Sequence, residues 1–165
     1  MRDIRFFDMF SGIGGFRSGL EAVGGFKCVG HCEIDKHANK AYNAIYQPQG
    51  EYYCDDARKI NPYTMPDFDL LCAGFPCQPF SMMGSEHGFN DARGTLFFRI
   101  AEIIQDRINK GKKPKALILE NVRTLKTHDK GRTFKTIKRI LEEEAEEFAE
   151  LREDIEEEVE SYQLD

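Results

Sequence analysis

IRFFDMFSGIGGFRSGLEAV, residues 4–23, decides the fold. The first seven residues are an apolar run that reads as a buried strand. SGIGG then supplies a glycine turn, and FRSGLEAV carries helical spacing. A strand, a glycine turn and a helix in that order open an α/β unit. The rest of the chain repeats the alternation. FKCVGHCEI (26–34) reads as a second strand and KHANKAYNAIY (36–46) as a helix. YYCDDA (52–57), FDLLCAGF (68–75) and KALILENV (115–122) are the third, fourth and fifth strands. TLFFRIAEIIQDRIN (95–109) is a helix between the last two. The expected fold class is therefore α/β, a doubly wound, mostly parallel sheet covered by helices.

In such sheets ligands bind beyond the carboxyl ends of the strands. Asp8, Glu33, Asp56, Cys77 and Glu120 all fall at such ends. Gly12, Gly14 and Gly15 allow close backbone approach, but Arg17 stands where a dinucleotide fingerprint needs its third glycine. That fingerprint seats a pyrophosphate on a helix N-terminus. A nucleoside cofactor without phosphate fits better than a nicotinamide dinucleotide, so an oxidoreductase is the weaker reading. Glu33 can accept from both ribose hydroxyls, Asp56 from an adenine amino group, and Asp8 can face a cationic sulfonium or ammonium. S-adenosylmethionine has these groups.

AGFPCQPFS (73–81) holds a cysteine between two prolines. Pro76 restricts Phe75, and Pro79 restricts Gln78, so the Cys77 thiol is presented in a set direction. A thiolate is a strong nucleophile. Glu120 closes the apolar run KALIL, where a buried carboxylate needs a partner or a task. Asn121 beside it can fix the loop. Together Cys77 and Glu120 suit covalent activation of an electron-poor ring, with the acid on a ring nitrogen.

Six ordered segments, FDMFSGIGGFRSGLE, CEID, DDARKI, GFPCQPFS, GFNDARGTLFF and ENV, resemble the DNA cytosine-5 methyltransferases over about residues 3 to 140. The resemblance implies a methyltransferase fold, S-adenosylmethionine as cofactor and duplex DNA as substrate. It further implies that Asp8, Phe10, Ser11, Gly12, Ile13, Gly14, Gly15, Glu33, Ile34, Asp56, Ala57 and Leu96 hold the cofactor. Cys77 is the nucleophile toward C6 of a flipped-out cytosine, and Glu120 holds its N3 and N4 edge. Pro76, Gln78, Ser81, Arg93, Asn121 and Val122 would contact the substrate. The stretch 82–94 resembles the loop that closes over the extruded base. A bacterial restriction-modification setting and a cytoplasmic, nucleoid-associated location are implied in the same way.

The family's arginine segment, target-recognition region and last motif do not follow ENV. The expectation is an N-terminal part, 1–141, whose exposed fifth strand is completed by a complementary subunit or by self-association. A non-catalytic cofactor-binding or assembly module with the same fold is the alternative.

Five cysteines (Cys28, Cys32, Cys54, Cys72, Cys77) lack the two-residue spacing of zinc or redox pairs, so no metal is expected. The net charge of −6 is uneven. Residues 142–165 hold eleven Glu and two Asp against one Arg, whereas residues 1–141 carry six more bases than acids. The body suits a polyanionic partner. From Thr133 to Tyr162, Ile137, Leu141, Ala145, Phe148, Ile155 and Val159 recur near heptad spacing, which predicts an acidic helical extension over 142–165. No apolar run is long enough for a membrane span.

Overall fold

The computed structural model of the chain describes residues 2–75 and 95–141. Pro76, Cys77, Gln78, Ser81, Arg93, the loop 82–94 and the extension 142–165 lie outside the described residues. The chain divides after Arg123 into two compact units.

The first unit is a five-stranded sheet in the order β3-β2-β1-β4-β5. Its strands are β1 (Ile4–Met9), β2 (Phe26–Cys32), β3 (Tyr52–Cys54), β4 (Leu70–Gly74) and β5 (Ala116–Glu120). Every pairing is parallel. The helices are α1 (Gly15–Val23), α2 (Lys36–Tyr46) and α3 (Thr95–Asn109). α1 and α2 carry the chain toward one edge of the sheet, and α3 carries it toward the other. Because parallel crossovers are right-handed, the two sets cover opposite faces. The strand order turns back between β1 and β4, and the crevice beyond their carboxyl ends is where this architecture binds ligands.

Local chemistry sets the element ends. Asp35 begins α2 by accepting from the backbone N–H groups of His37 and Ala38, both at 2.8 Å. α3 is amphipathic: Phe97, Ile100, Ile103, Ile104 and Ile108 are buried at helical spacing. Phe6, Phe7 and Leu71 in the central strands are wholly buried. Burial of such a side chain stabilises the fold by roughly 1.5–3 kcal/mol.

Two strands are shorter than their apolar runs. β4 starts only at Leu70, because the Asp69 carboxylate accepts the Arg5 backbone N–H at 3.0 Å and pairs with Arg2 and Arg5. β3 ends at Cys54, because Asp56 caps a 3-10 turn, Ala57–Lys59, by accepting from Arg58 N–H at 3.0 Å.

β5 corrects one expectation. Its apolar run predicts a buried strand with a buried terminal carboxylate, yet Ala116, Ile118 and Glu120 are exposed and Leu117 and Leu119 half-buried. Among the described residues β5 pairs with β4 alone, so no described strand pairs with its outer edge.

The second unit contains a 3-10 turn, His128–Gly131, followed by a helix over 132–141. His128 Nδ1 lies 2.7 Å from Thr133 Oγ1 across this junction. Among the described residues, no helix is long and apolar enough to cross a membrane.

Candidate active site

Between β1 and α1 the backbone makes a left-handed turn. Phe10, Gly12 and Gly14 have φ of 57, 55 and 92°. A non-glycine residue such as Phe10 in this region is strained, and such strain concentrates at functional turns. Gly14 is required twice over, by its φ and because a Cβ there would lie 2.3 Å from the Tyr46 ring. The Tyr46 hydroxyl donates to the Gly14 carbonyl at 2.7 Å. Gly15 opens α1, whose start has no side-chain cap, so no side chain competes for its first N–H groups.

Glu33 is held in place by two backbone donors. Gly12 N–H donates to Oε2 and Asp35 N–H to Oε1, each at 2.7 Å. The glycine turn and the carboxylate at the end of β2 are thus one unit. Ile13 and Ile34 flank it, 61% and 64% exposed. Exposed aliphatic side chains next in sequence to the glycine turn and to a fixed carboxylate suit contact with a flat apolar ring.

Asp8 lies beneath. It is fully buried, and neither carboxylate oxygen has a hydrogen-bond partner among the described residues. Burial pushes its carboxyl up to about 7, Arg17 draws it down, and Glu33 raises it. The buried Ser11 hydroxyl is likewise unpartnered. Unsatisfied buried oxygens of this kind favour a cationic or donor-rich ligand. Cys28 and Cys72, beside it on the same face, are free thiols pushed up by burial to about 11 and 12, so they are inert.

At the next strand end Asp56 is buried, and its carboxylate is bound by the Arg58 side chain. Ala57 beside it is buried, and its carbonyl accepts from Arg99 Nε at 3.2 Å. Leu96 is half-buried in the first turn of α3. On the far side, Glu120 pairs in register with Gly74, and a Cβ at 74 would lie 3.3 Å from Glu120 Oε2. Glycine at 74 leaves that carboxylate room at the strand end. Asn121 donates from Nδ2 to the Phe75 carbonyl at 2.7 Å and accepts from Val122 N–H at 2.9 Å. Asn121 therefore ties the end of β5 to the last residue before Pro76. Val122 itself is 54% exposed.

The structure brings the twelve candidate cofactor residues and Glu120, Asn121 and Val122 to one end of one sheet. The profile of the family described as C-5 cytosine-specific DNA methylase matches residues 4–145. The chain belongs to that family. It is 52% identical over 138 residues to the type II methyltransferase M1.ScrFI of Lactococcus lactis subsp. cremoris. It is 48% identical over 141 residues to M.HpaII of Haemophilus parainfluenzae. These alignments cover 82% and 84% of this chain but 33% and 37% of the relatives, so the chain spans little more than a third of their length. The solved structure of S. pombe Dnmt2 methyltransferase superposes with a TM-score of 0.63 at 23% identity, over 82% of this chain and 41% of that one. The Entamoeba histolytica methyltransferase EhMeth gives 0.57 at 22% identity, over 87% and 44%. Both show the same α/β fold.

Sequence reasoning missed the polar cluster under the glycine turn. Arg17, read only as an interruption of a glycine pattern, is buried and pairs with Glu51 at 2.8 Å and Glu21 at 2.7 Å. It also donates to the Tyr42 hydroxyl and lies over the Tyr46 ring. His31 stacks on Tyr42 with ring centroids 4.0 Å apart. Burial lowers the His31 pKa and keeps the ring neutral. The one available signal was Arg17 four residues before Glu21, an i,i+4 pair.

Proposed function

We propose that this chain is the cofactor-binding and nucleophile-bearing part of a DNA cytosine-5 methyltransferase that uses S-adenosylmethionine. The observation that carries the reading is Glu33. Its carboxylate is locked by the backbone of Gly12 and Asp35, next in sequence to exposed Ile34 and within electrostatic reach of the unpartnered buried Asp8. These residues fit the cofactor group by group. Glu33 accepts from the ribose hydroxyls, Ile13 and Ile34 cover the adenine faces, and Asp56 with Ala57 meets the adenine edge. Asp8 neutralises the cationic methionine end, which Phe10, Ser11 and Leu96 border. Gly12, Gly14 and Gly15 keep the backbone open. When bound, S-adenosylmethionine supplies an electrophilic methyl group on a sulfonium.

The chain's own part in the chemistry is carried by Cys77 and Glu120. The Cys77 thiolate adds to C6 of a cytosine turned out of the duplex, which makes C5 nucleophilic. Glu120 hydrogen-bonds the N3 and N4 edge, so the ring nitrogen takes up the charge pushed into it. After C5 has gained its methyl group, loss of the C5 proton lets the C6–sulfur bond break and returns the thiol. Pro76, Gln78, Ser81 and Arg93 are assigned to substrate contact by the family resemblance, with Asn121 and Val122 at the end of β5. The outer edge of β5, with which no described strand pairs, supports a complementary chain or second copy that completes the sheet. The same edge is what an assembly module would use, but the fixed Glu33 favours a cofactor binder.

Calorimetric titration of the chain with S-adenosylmethionine tests the cofactor part: saturable binding is expected, weakened at least tenfold by Glu33→Gln. No binding overturns the reading. Duplex DNA carrying 5-fluorocytosine should trap a covalent adduct with the completed enzyme and none with Cys77→Ser. An adduct that survives the substitution removes Cys77 from its role.

A further inference from the structure

The Asp56 carboxylate accepts four hydrogen bonds, all from Arg58. The backbone N–H reaches Oδ1 at 3.0 Å. Nε reaches Oδ1 at 2.9 Å and Oδ2 at 3.1 Å, and Nη2 reaches Oδ2 at 2.6 Å. A carboxylate offers about four lone-pair sites, so this one is full. Its side chain is only 10% exposed, whereas Arg58 is 52% exposed.

We infer that Arg58 sets the adenine affinity and selectivity of the pocket by occupying the carboxylate that the adenine amino group must reach. This rests on the proposed reading of Asp56. An incoming N–H must displace a guanidinium donor, Nε or Nη2. The Arg58 guanidinium has no other partner among the described residues. The backbone bond from Arg58 to Asp56 belongs to the 3-10 turn and stays.

Nor does the turn depend on the Arg58 side chain. Arg99 on α3 donates to the carbonyls of Ala57 and Ile60, which bracket the turn from below. Lys59 pairs with Asp55 instead of Asp56. Arg99 therefore fixes the backbone while Arg58 covers the carboxylate. An adenine exchanges one charge-assisted donor for another, whereas a purine without the amino group has nothing to exchange and leaves Arg58 in place.

The test compares wild type with Arg58→Met by calorimetry, using S-adenosylhomocysteine. That ligand lacks the sulfonium charge, so general repulsion by Arg58 does not enter. Arg58 is half exposed, so solvent screens its side of the pair, and Arg58→Met should bind about two- to fivefold more tightly. The gain should shrink in high salt, which screens the wild-type pair. The analogue with hydrogen in place of the purine amino group should bind both proteins equally. Arg58→Gln, neutral but still a donor, should fall between them and serves if the methionine variant is unstable. Equal or weaker binding by Arg58→Met, or an equal gain for the des-amino analogue, overturns the inference while leaving the cofactor reading intact. If neither protein binds S-adenosylhomocysteine, the cofactor reading fails and this inference falls with it.

Discussion

Replacing Asp8 by asparagine should make the protein's stability less sensitive to pH, by an amount that follows from the buried carboxyl. In the folded chain this carboxyl titrates near 7, against an ordinary value of 3.8. The folded value is the higher one, so the stabilising contribution is complete below the ordinary value and is lost as pH rises toward 7. Between pH 5 and pH 8 the loss that follows from those two values is roughly 2–3 kcal/mol. Asp8→Asn abolishes it, at the cost of a pH-independent offset from new amide hydrogens. His31 acts oppositely, since its lowered pKa costs stability as pH falls, but it is present in both proteins and cancels in the difference. Arg17 and Glu33, which face Asp8 electrostatically, are likewise common to both. Urea unfolding of the two proteins at several pH values, without ligand, measures the difference. Wild type should lose roughly 2–3 kcal/mol more than Asp8→Asn over that range. A difference that stays flat, or grows in the opposite direction, would show that Asp8 is ionised and satisfied in the folded protein, and the argument for a cation-seeking carboxylate would fail.

Two further outcomes follow from the same corner of the fold. Arg17→Met strands Glu51 half-sheltered and removes the cation from the Tyr42 and Tyr46 rings; it should cost about 3 kcal/mol in urea unfolding, part of it recovered in the double variant with Glu51→Gln. Gly14→Ala places a methyl group against Tyr46 in a left-handed backbone and should lower the melting temperature by roughly 8 °C or more, equivalent to at least about 2 kcal/mol.

Much of this was legible in the chain itself. α2 and α3 occupy the residues their apolar spacing predicts, since Asp35 supplies a cap and α3 buries one continuous face. The strand-end positions of Asp8, Glu33, Asp56 and Glu120 follow from the alternation alone. What the chain hides is tertiary. The missing neighbour of β5 was legible, but hydropathy does not say that Ala116, Ile118 and Glu120 in the apolar run ALILE are exposed. Arg17 looks like a surface helical residue until Glu51, thirty-four positions later, folds onto it. Asp56 looks available until Arg58, two residues on, is seen to fill it. Local sequence spacing makes that contact possible but does not decide between it and solvent.

The sheet order also shapes how this chain comes into being on the ribosome. β1 is made first yet lies in the middle, and its second neighbour, β4, begins only at Leu70. Until some sixty further residues have been synthesised, Phe6 and Phe7 have water or another chain on one flank. At ordinary elongation speeds that interval lasts several seconds, long enough for nascent-chain aggregation to compete with closure and for a chaperone to be of use.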